Sequence, residues 1–129
     1  MQRQSGIYFG RSDVSGRGVF TAQEIVSNAL IEICPVIVLP AQEMPLIHQT
    51  HLHDYYFLWG EDQQQCAIVL GFGSLYNHSI HPNAEFAVDY QKKTIDIYSL
   101  RTIAAGEEIT ISYNGYREDD RLLWFDNRE

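Results

Sequence analysis

Residues 71–86, GFGSLYNHSIHPNAEF, are the most informative stretch of the sequence. Its glycines Gly71 and Gly73 permit unusual backbone dihedrals or the close approach of another group. Asn77 carries two amide donors and a carbonyl acceptor, which suits a zwitterionic ligand. Asn-His-Ser and Pro-Asn are also ordinary turn sequences, so this stretch alone does not separate a ligand site from a turn.

Two further clusters flank it in the chain. GEEITISYNGY, residues 106–116, predicts a strand that ends at Tyr113 and is followed by a flexible Asn-Gly pair and by Tyr116. Such a strand can deliver phenol groups to a pocket floor, although an aromatic residue at a strand end more often packs in a core. SGRGVF, residues 15–20, contains Gly-x-Gly. It is not a dinucleotide fingerprint, because the third glycine and a following long helix are missing.

In this order, the three clusters resemble the SET-domain family of protein-lysine methyltransferases. The resemblance covers residues 15–116 and implies a single SET domain over residues 1–129, with an aromatic tail at 117–129. It implies a mostly β fold (β-rich α+β) of several small curved sheets, with pseudoknot-like threading of the C-terminal segment beneath an earlier loop. The implied reaction moves a methyl group from S-adenosylmethionine to a lysine side chain, leaves S-adenosylhomocysteine and needs no metal.

The resemblance also implies a set of cofactor-binding positions. The backbone of the Gly-x-Gly segment, the Asn77 amide and the backbone of the next residue would hold the cofactor, and a tyrosine would contact its methionine end. Tyr55 is preferred to Tyr56 for that contact, and the choice stays open. No cysteine follows position 66, so an adenine cover would come from a tail aromatic. The predicted set is Gly16, Arg17, Gly18, Tyr55, Asn77, His78, and Trp124 or Phe125.

By the same resemblance, Tyr113 is the catalytic group, and Phe86 and Tyr116 line the channel for the substrate lysine. A free lysine amine has a pKa of about 10.4 and must lose its proton before it accepts a methyl group. A narrow apolar channel favours the neutral amine. Related enzymes have Phe or Tyr at the position of Phe86, and Phe leaves more room, which predicts di- or trimethylation. Cys34 lies where some relatives carry a channel tyrosine, and we expect it to be a small buried hydrophobe.

The β-type runs predict a strand-rich domain. Gln91-Lys-Lys93 predicts a hairpin turn, and Pro35 predicts an interruption or an edge position within its strand. Thr21-Ala-Gln-Glu24 has the pattern of a capped helical turn, and Leu122 to Phe125 predicts another short helical piece. The predicted strands are Gly6 to Phe9, Gly18 to Phe20, Leu30 to Leu39, Ala67 to Leu70, Ala84 to Tyr90, Thr94 to Ser99 and Glu108 to Tyr113.

Composition limits the partners. A formal net charge of −8 disfavours direct contact with nucleic acid and suits a basic, lysine-containing protein or peptide. No apolar run approaches the roughly 20 residues that a spanning helix needs, and no signal peptide is visible. These features predict a soluble intracellular protein, cytoplasmic or nuclear, without membrane contact. Cys34 and Cys66 are far apart, so we expect two free thiols with at least one buried.

Two polar clusters carry alternatives. His48, His51 and His53 with Asp54 invite a metal site, but a polar helix or loop is the default interpretation because nothing places these side chains on one face. Glu118-Asp-Asp120 could attract basic residues beside a target lysine, although a solvated turn is the default interpretation.

Other function classes stay open. A catalytically inactive SET module that binds a peptide or a partner protein is the main alternative, and cofactor binding distinguishes it from an enzyme. A β-rich structural domain with coincidental motifs is a third. Histone-like tails and ribosomal or other basic proteins all fit as substrates. A homodimer would cover the exposed apolar surface of so short a domain.

Overall fold

The computed structural model describes residues 2–113, which form two curved β-sheets. The first four elements are β1 (Ile7–Arg11), β2 (Arg17–Thr21), β3 (Leu30–Leu39) and α1 (Met44–His48). They are followed by β4 (Tyr56–Trp59), β5 (Gln65–Val69), β6 (Asn77–His78), β7 (Ala84–Asp89), β8 (Thr94–Ser99) and β9 (Glu108–Ile111). Short 3-10 turns cover Ala41–Glu43, His51–Asp54 and Gly73–Leu75.

The strand order brings motifs that are far apart in the sequence into one sheet. One sheet has the order β1-β2-β9-β6, and the other has the order β4-β5-β3-β8-β7. Neighbouring strands are antiparallel except for β6 and β9, which are parallel. The last strand of the described region therefore lies between two strands that precede it by dozens of residues. The predicted mostly β fold is confirmed, and any threading after residue 113 lies outside the described residues.

Alternating side chains build a single core between the sheets. In β8 the residues Ile95, Ile97 and Ser99 are buried while their neighbours are half-exposed, which is the period of two that a sheet with one inner face requires. From the smaller sheet, Ile109 and Ile111 are fully buried in the same cluster. Burial of these branched side chains is the main term that holds the sheets together.

The ten-residue strand β3 changes its pairing at Pro35. Its first half pairs with β8, up to Pro35 opposite Thr94, and its second half pairs with β5 from Val36 onward. Proline has no N–H to donate, so a position where the ladder passes from one partner to another accommodates it. The strand is not interrupted at Pro35, and the proline instead lies where the ladder changes from β8 to β5.

Most predicted strands are present, with shifts of one or two residues at their ends. The predicted hairpin at residues 91–93 joins β7 to β8. The predicted helical turn at Thr21 to Glu24 is wrong: the Thr21 hydroxyl bonds to the backbone of Gln23, and the chain continues into a bridge between Ile25 and Ile103. The strands β4 and β6 and the helix α1 were not predicted. The piece at Leu122 to Phe125 lies outside the described residues.

Both cysteines are free and fully buried, as predicted. Burial is the largest cause of a raised thiol pKa at Cys34, and the nearby Glu32 carboxylate raises it further. Burial also raises the pKa of Cys66. Both side chains therefore behave as small core hydrophobes. Within residues 2–113 no helix is long and apolar enough to span a membrane.

Gly73 is expected to be intolerant of any side chain. A Cβ atom there would collide with the Val69 side chain and would lie 3.1 Å from the Cys34 sulfur. We expect Gly73→Ala to lower the free energy of unfolding by about 1–3 kcal/mol, the usual range for overpacking. At Gly10 the nearest atom to such a Cβ is 3.7 Å away, so Gly10→Ala is the matched control and should change stability by less than about 0.5 kcal/mol. Urea denaturation of both variants measures this, and equal stabilities would contradict it.

Candidate active site

The pairing of β6 with β9 brings two distant motifs together. Asn77 lies opposite Thr110 and His78 opposite Ile111 in a parallel ladder. One step beyond the ladder, the backbone N–H of Tyr113 donates to Nδ1 of His78 at 3.1 Å. His78 and Tyr113, which are separated by 35 positions in the chain, are thus neighbours in space. The expected meeting of the Asn77-His78 and Tyr113 segments is present in the structure.

Asn83 also joins the stretch of residues 71–86 to β9. Its side-chain amide donates to the carbonyl of Glu108 at 2.8 Å, and its carbonyl oxygen accepts from the backbone N–H of Thr110 at 2.8 Å. Its exposed fraction is 2%. The Pro-Asn part of the motif is therefore a backbone clamp on β9.

Asn77 is enclosed by acceptor oxygens. Its Nδ2 atom lies 3.0 Å from the carbonyl oxygen of Arg17, 3.1 Å from that of Ser15 and from the hydroxyl of Ser12, and 2.8 Å from a carboxylate oxygen of Glu108. Because these groups all accept, they fix the orientation of the amide. The loop that holds the predicted Gly-x-Gly is thereby tied directly to Asn77.

Sequence reasoning missed Glu108, which supports this arrangement. Its carboxylate accepts from Ser12 and from Asn77, and it leaves no space for a side chain at Gly18. The only sequence signal was its place in the Gly-Glu-Glu motif. Gly18 thus permits the close approach of the Glu108 carboxylate.

A cleft opens beside Asn77. It has about 310 Å³ of empty space, including the solvent at its mouth. Four of its lining residues, Gly16, Arg17, Tyr55 and Asn77, are among the predicted cofactor-binding positions. Three lining residues were not predicted: Ser15, Ser74 and Leu75.

The two candidate tyrosines before β4 have different surroundings. Tyr55 lines the cleft, and the hydroxyl of Ser74 donates to its carbonyl at 3.3 Å. Tyr56 is 7% exposed, and its hydroxyl lies 3.0 Å from Nδ1 of His48. Burial is the largest cause of a raised pKa at Tyr56. Only Tyr55 contributes to the cleft.

Tyr113 stands at the edge of a group of rings. Its hydroxyl donates to the backbone carbonyl of Tyr76 at 2.6 Å, and its ring centroid is 5.2 Å from that of His78. Phe57 makes edge contacts with both Tyr113 and Phe86, at centroid distances of 6.4 and 5.3 Å. Phe57 was not predicted as a site residue. Its place next to Tyr56 in a short aromatic run is a signal that could have indicated it.

Several predicted positions lie outside the described residues. These are Tyr116, Trp124, Phe125 and the acidic run Glu118 to Asp120.

The histidine cluster has no metal-binding geometry. His53 pairs with Asp54 at 3.2 Å, His48 contacts Tyr56, and His51 is exposed. Among residues 2–113 no group of three or more His, Cys, Asp or Glu side chains could hold a metal ion. The side chains of His53 and His48 instead contact residues of the 3-10 turn and of β4.

Comparison with known proteins agrees with this geometry. The SET domain family model matches residues 16–114. The chain is 37% identical over 113 residues to the histone-lysine N-methyltransferase, H3 lysine-37 specific, of Schizosaccharomyces pombe, covering 87% of this chain and 71% of that protein. A crystal structure from Plasmodium falciparum, of a candidate histone methyltransferase, is 35% identical with a TM-score of 0.67, over 85% of this chain and 94% of that one.

A more distant structure shares the fold alone. It belongs to Polycomb Repressive Complex 2 of Chaetomium thermophilum, with a TM-score of 0.73 and 18% identity. The match covers 90% of this chain but 16% of that one. The strand arrangement therefore persists where most side chains differ.

The chain belongs to the SET-domain family. It is an enzyme of the protein-lysine N-methyltransferase class.

Asn83 should be a major stability determinant. In Asn83→Ala the Thr110 N–H and the Glu108 carbonyl lose their buried partner, so we expect a loss of about 1–3 kcal/mol in the free energy of unfolding. The exposed Gln42 has no such role, and Gln42→Ala is the control. Thermal melts of the two variants measure the difference. An Asn83→Ala protein as stable as the control would contradict the clamp.

Proposed function

We propose that this enzyme moves a methyl group from S-adenosylmethionine to the side-chain amine of a lysine in a basic protein. The observation that carries the proposal is the continuity of the site: the cleft that contains Asn77 lies next to the residue pair His78 and Tyr113. Tyr113 in turn contacts the ring of Phe57. A cofactor held on one side and a lysine held among the rings would meet near the Tyr113 hydroxyl.

The cleft residues fit the cofactor chemically. An S-adenosylmethionine molecule offers an ammonium group, a carboxylate and an adenine ring, and supplies an activated methyl group. Asn77, held by Glu108, presents a fixed amide, and Gly16 and Arg17 line the same cleft. Tyr55 adds an aromatic surface at the cleft wall. Gly18, next to Asn77, and the backbone of His78 complete the proposed cofactor set; Trp124 and Phe125 stay as predictions.

Tyr113 is proposed as the catalytic residue, acting to orient the amine. Its hydroxyl donates to the Tyr76 carbonyl, which fixes the orientation of the phenol. The rings of Phe57 and Phe86 offer an apolar wall that disfavours a charged amine and attracts its methylated forms. Holding the donor and acceptor atoms in line supplies a large part of the rate. Tyr116 stays a predicted second channel wall.

The proposed substrate is a lysine-containing basic segment, with a histone tail as the leading example. The relative from Schizosaccharomyces pombe is named for a lysine of histone H3. The net charge of −8 favours the approach of a basic segment by long-range attraction. This substrate would place the enzyme in an intracellular, soluble setting, nuclear in a eukaryotic host.

Calorimetric titration with S-adenosylmethionine tests the cofactor site. We expect the wild type to bind, Asn77→Ala to lose at least about tenfold in affinity because an amide contact and its anchoring are removed, and Tyr113→Phe to bind normally. With radiolabelled donor and histone H3 peptides, Tyr113→Phe should lower kcat by about a hundredfold. The unrelated cleft-distant variant Gln42→Ala is the control.

Folded wild-type protein that binds no S-adenosylmethionine would contradict the proposal. It would then favour the inactive SET module that binds a peptide or partner protein.

The identity of residue 86 should set the degree of methylation. By resemblance to the family, Phe86 leaves room for an amine that already carries methyl groups, so we expect di- and trimethyl-lysine from the wild type. Phe86→Tyr adds a hydroxyl near Phe57 and should shift the product toward monomethyl-lysine. Mass spectrometry of a reacted peptide measures the product ratio, with Phe86→Leu as a control that adds no hydroxyl. A wild type that stops at monomethyl-lysine would refute this.

A further inference from the structure

A carboxylate lies in the core directly beneath the motif of residues 71–86. Glu32, on the inner face of β3, is 1% exposed. A buried carboxylate costs several kcal/mol unless partners replace its water. The partners of Glu32 include the Tyr76 hydroxyl at 2.7 Å, the backbone N–H of Phe72 at 3.0 Å and Nε of Arg3 at 3.2 Å. Because burying a carboxylate is costly, its presence in this mostly apolar strand indicates a role other than packing.

The surrounding backbone is shaped to admit this carboxylate. Gly71 has a φ of +65°, and a Cβ atom there would collide with the nearer oxygen of Glu32. The guanidinium of Arg3 lies 4.2 Å above the ring of Phe72. Residues 2–4 pair with the edge of β3 through two backbone hydrogen bonds, which delivers Arg3 to the carboxylate. Partners from two segments of the chain, residues 2–4 and 71–76, thus converge on one side chain.

Tyr76 connects this carboxylate to the proposed active site. It is fully buried, and burial together with Glu32 holds its pKa well above the ordinary value, so it stays a phenol that donates to Glu32. Its own backbone carbonyl accepts the Tyr113 hydroxyl at 2.6 Å. Tyr76 is also the residue immediately before Asn77. Both the side chain and the carbonyl of Tyr76 are therefore held, one by Glu32 and one by Tyr113.

We propose that Glu32 is a positioning residue for methyl transfer, because through the side chain of Tyr76 it fixes the carbonyl that anchors the Tyr113 hydroxyl. The inference rests on the proposed function, in which that hydroxyl orients the substrate amine. Glu32 touches neither cofactor nor substrate. Its effect arises because a displacement of about 1 Å in a catalytic group can cost about a hundredfold in rate.

The decisive comparison is between two buried tyrosine hydroxyls. Tyr76→Phe removes the bond to Glu32 and keeps the ring and the carbonyl, whereas Tyr56→Phe removes a hydroxyl that contacts His48, away from this network. Both should lower the melting temperature. Only Tyr76→Phe should lower kcat, by about 10- to 100-fold, with the KM for an H3 peptide and the Kd for S-adenosylmethionine within about twofold of the wild type.

A double-substitution cycle identifies the route of the effect. If Tyr76 acts through the Tyr113 hydroxyl, then Tyr76→Phe should have little further effect on kcat in a Tyr113→Phe background. A loss of kcat as large as in the wild-type background would overturn the inference, because the effect would then be independent of Tyr113.

Substitution of the carboxylate itself provides a second route if Tyr76→Phe folds poorly. Glu32→Gln keeps an acceptor for the Tyr76 hydroxyl, and Glu32→Leu removes it. We expect the loss of kcat, corrected for the folded fraction, to be several-fold greater for Leu. Equal kcat in the two would overturn the inference.

Different results would overturn the proposed function and the positioning role of Glu32. A wild type that neither binds S-adenosylmethionine nor transfers radiolabelled methyl groups would overturn the proposed function and this inference with it. A wild type that is active, beside a Tyr76→Phe variant with unchanged kcat, would overturn the positioning role of Glu32 alone.

Discussion

Two residues of β6 pair in parallel with two residues of β9, and the contacts of the candidate active site are built outward from this short ladder. It sets Asn77 against the N-terminal loop and brings the Tyr113 backbone to His78. Parallel pairing cannot be made by a tight turn, so the intervening residues must leave and return. They do so as β7 and β8, which add two strands to the larger sheet.

So short a ladder needs additional support, and buried polar side chains supply it. Asn83 bonds to the backbone of β9 on both sides of Ile109. Glu108 reaches Asn77 from the same strand. Each group would be costly if left without a partner, so the arrangement tolerates few alternatives. This requirement favours one geometry over a loosely packed set of conformations.

Glu32, in the hydrophobic core, is another buried polar side chain that depends on its partners. A carboxylate at that depth destabilises the fold unless its partners are in place, and Tyr76, Phe72 and Arg3 provide them. In the proposed site, Glu32 stabilises the fold less than an apolar residue at position 32 could. Its role is to fix the position of Tyr76. Tyr76 in turn accepts from the Tyr113 hydroxyl, and the Tyr113 ring contacts that of Phe57.

The sequence by itself determined most of the strands and the chemical inventory. The β-type runs Thr94 to Ser99 and Leu30 to Leu39 predicted β8 and β3 with the correct bounds, since a β-type run is a property of the local sequence. The three ordered motifs indicated the family, and the placement of Gly16, Arg17, Tyr55 and Asn77 around one cleft agrees with that indication. Only the tertiary structure decided which tyrosine before β4 faces the cleft, that Glu108 and Asn83 hold the motif in place, and that Phe57 joins the ring cluster. These depend on contacts between residues tens of positions apart, and neither a local period nor a motif carries information about which distant side chain will fill a given space.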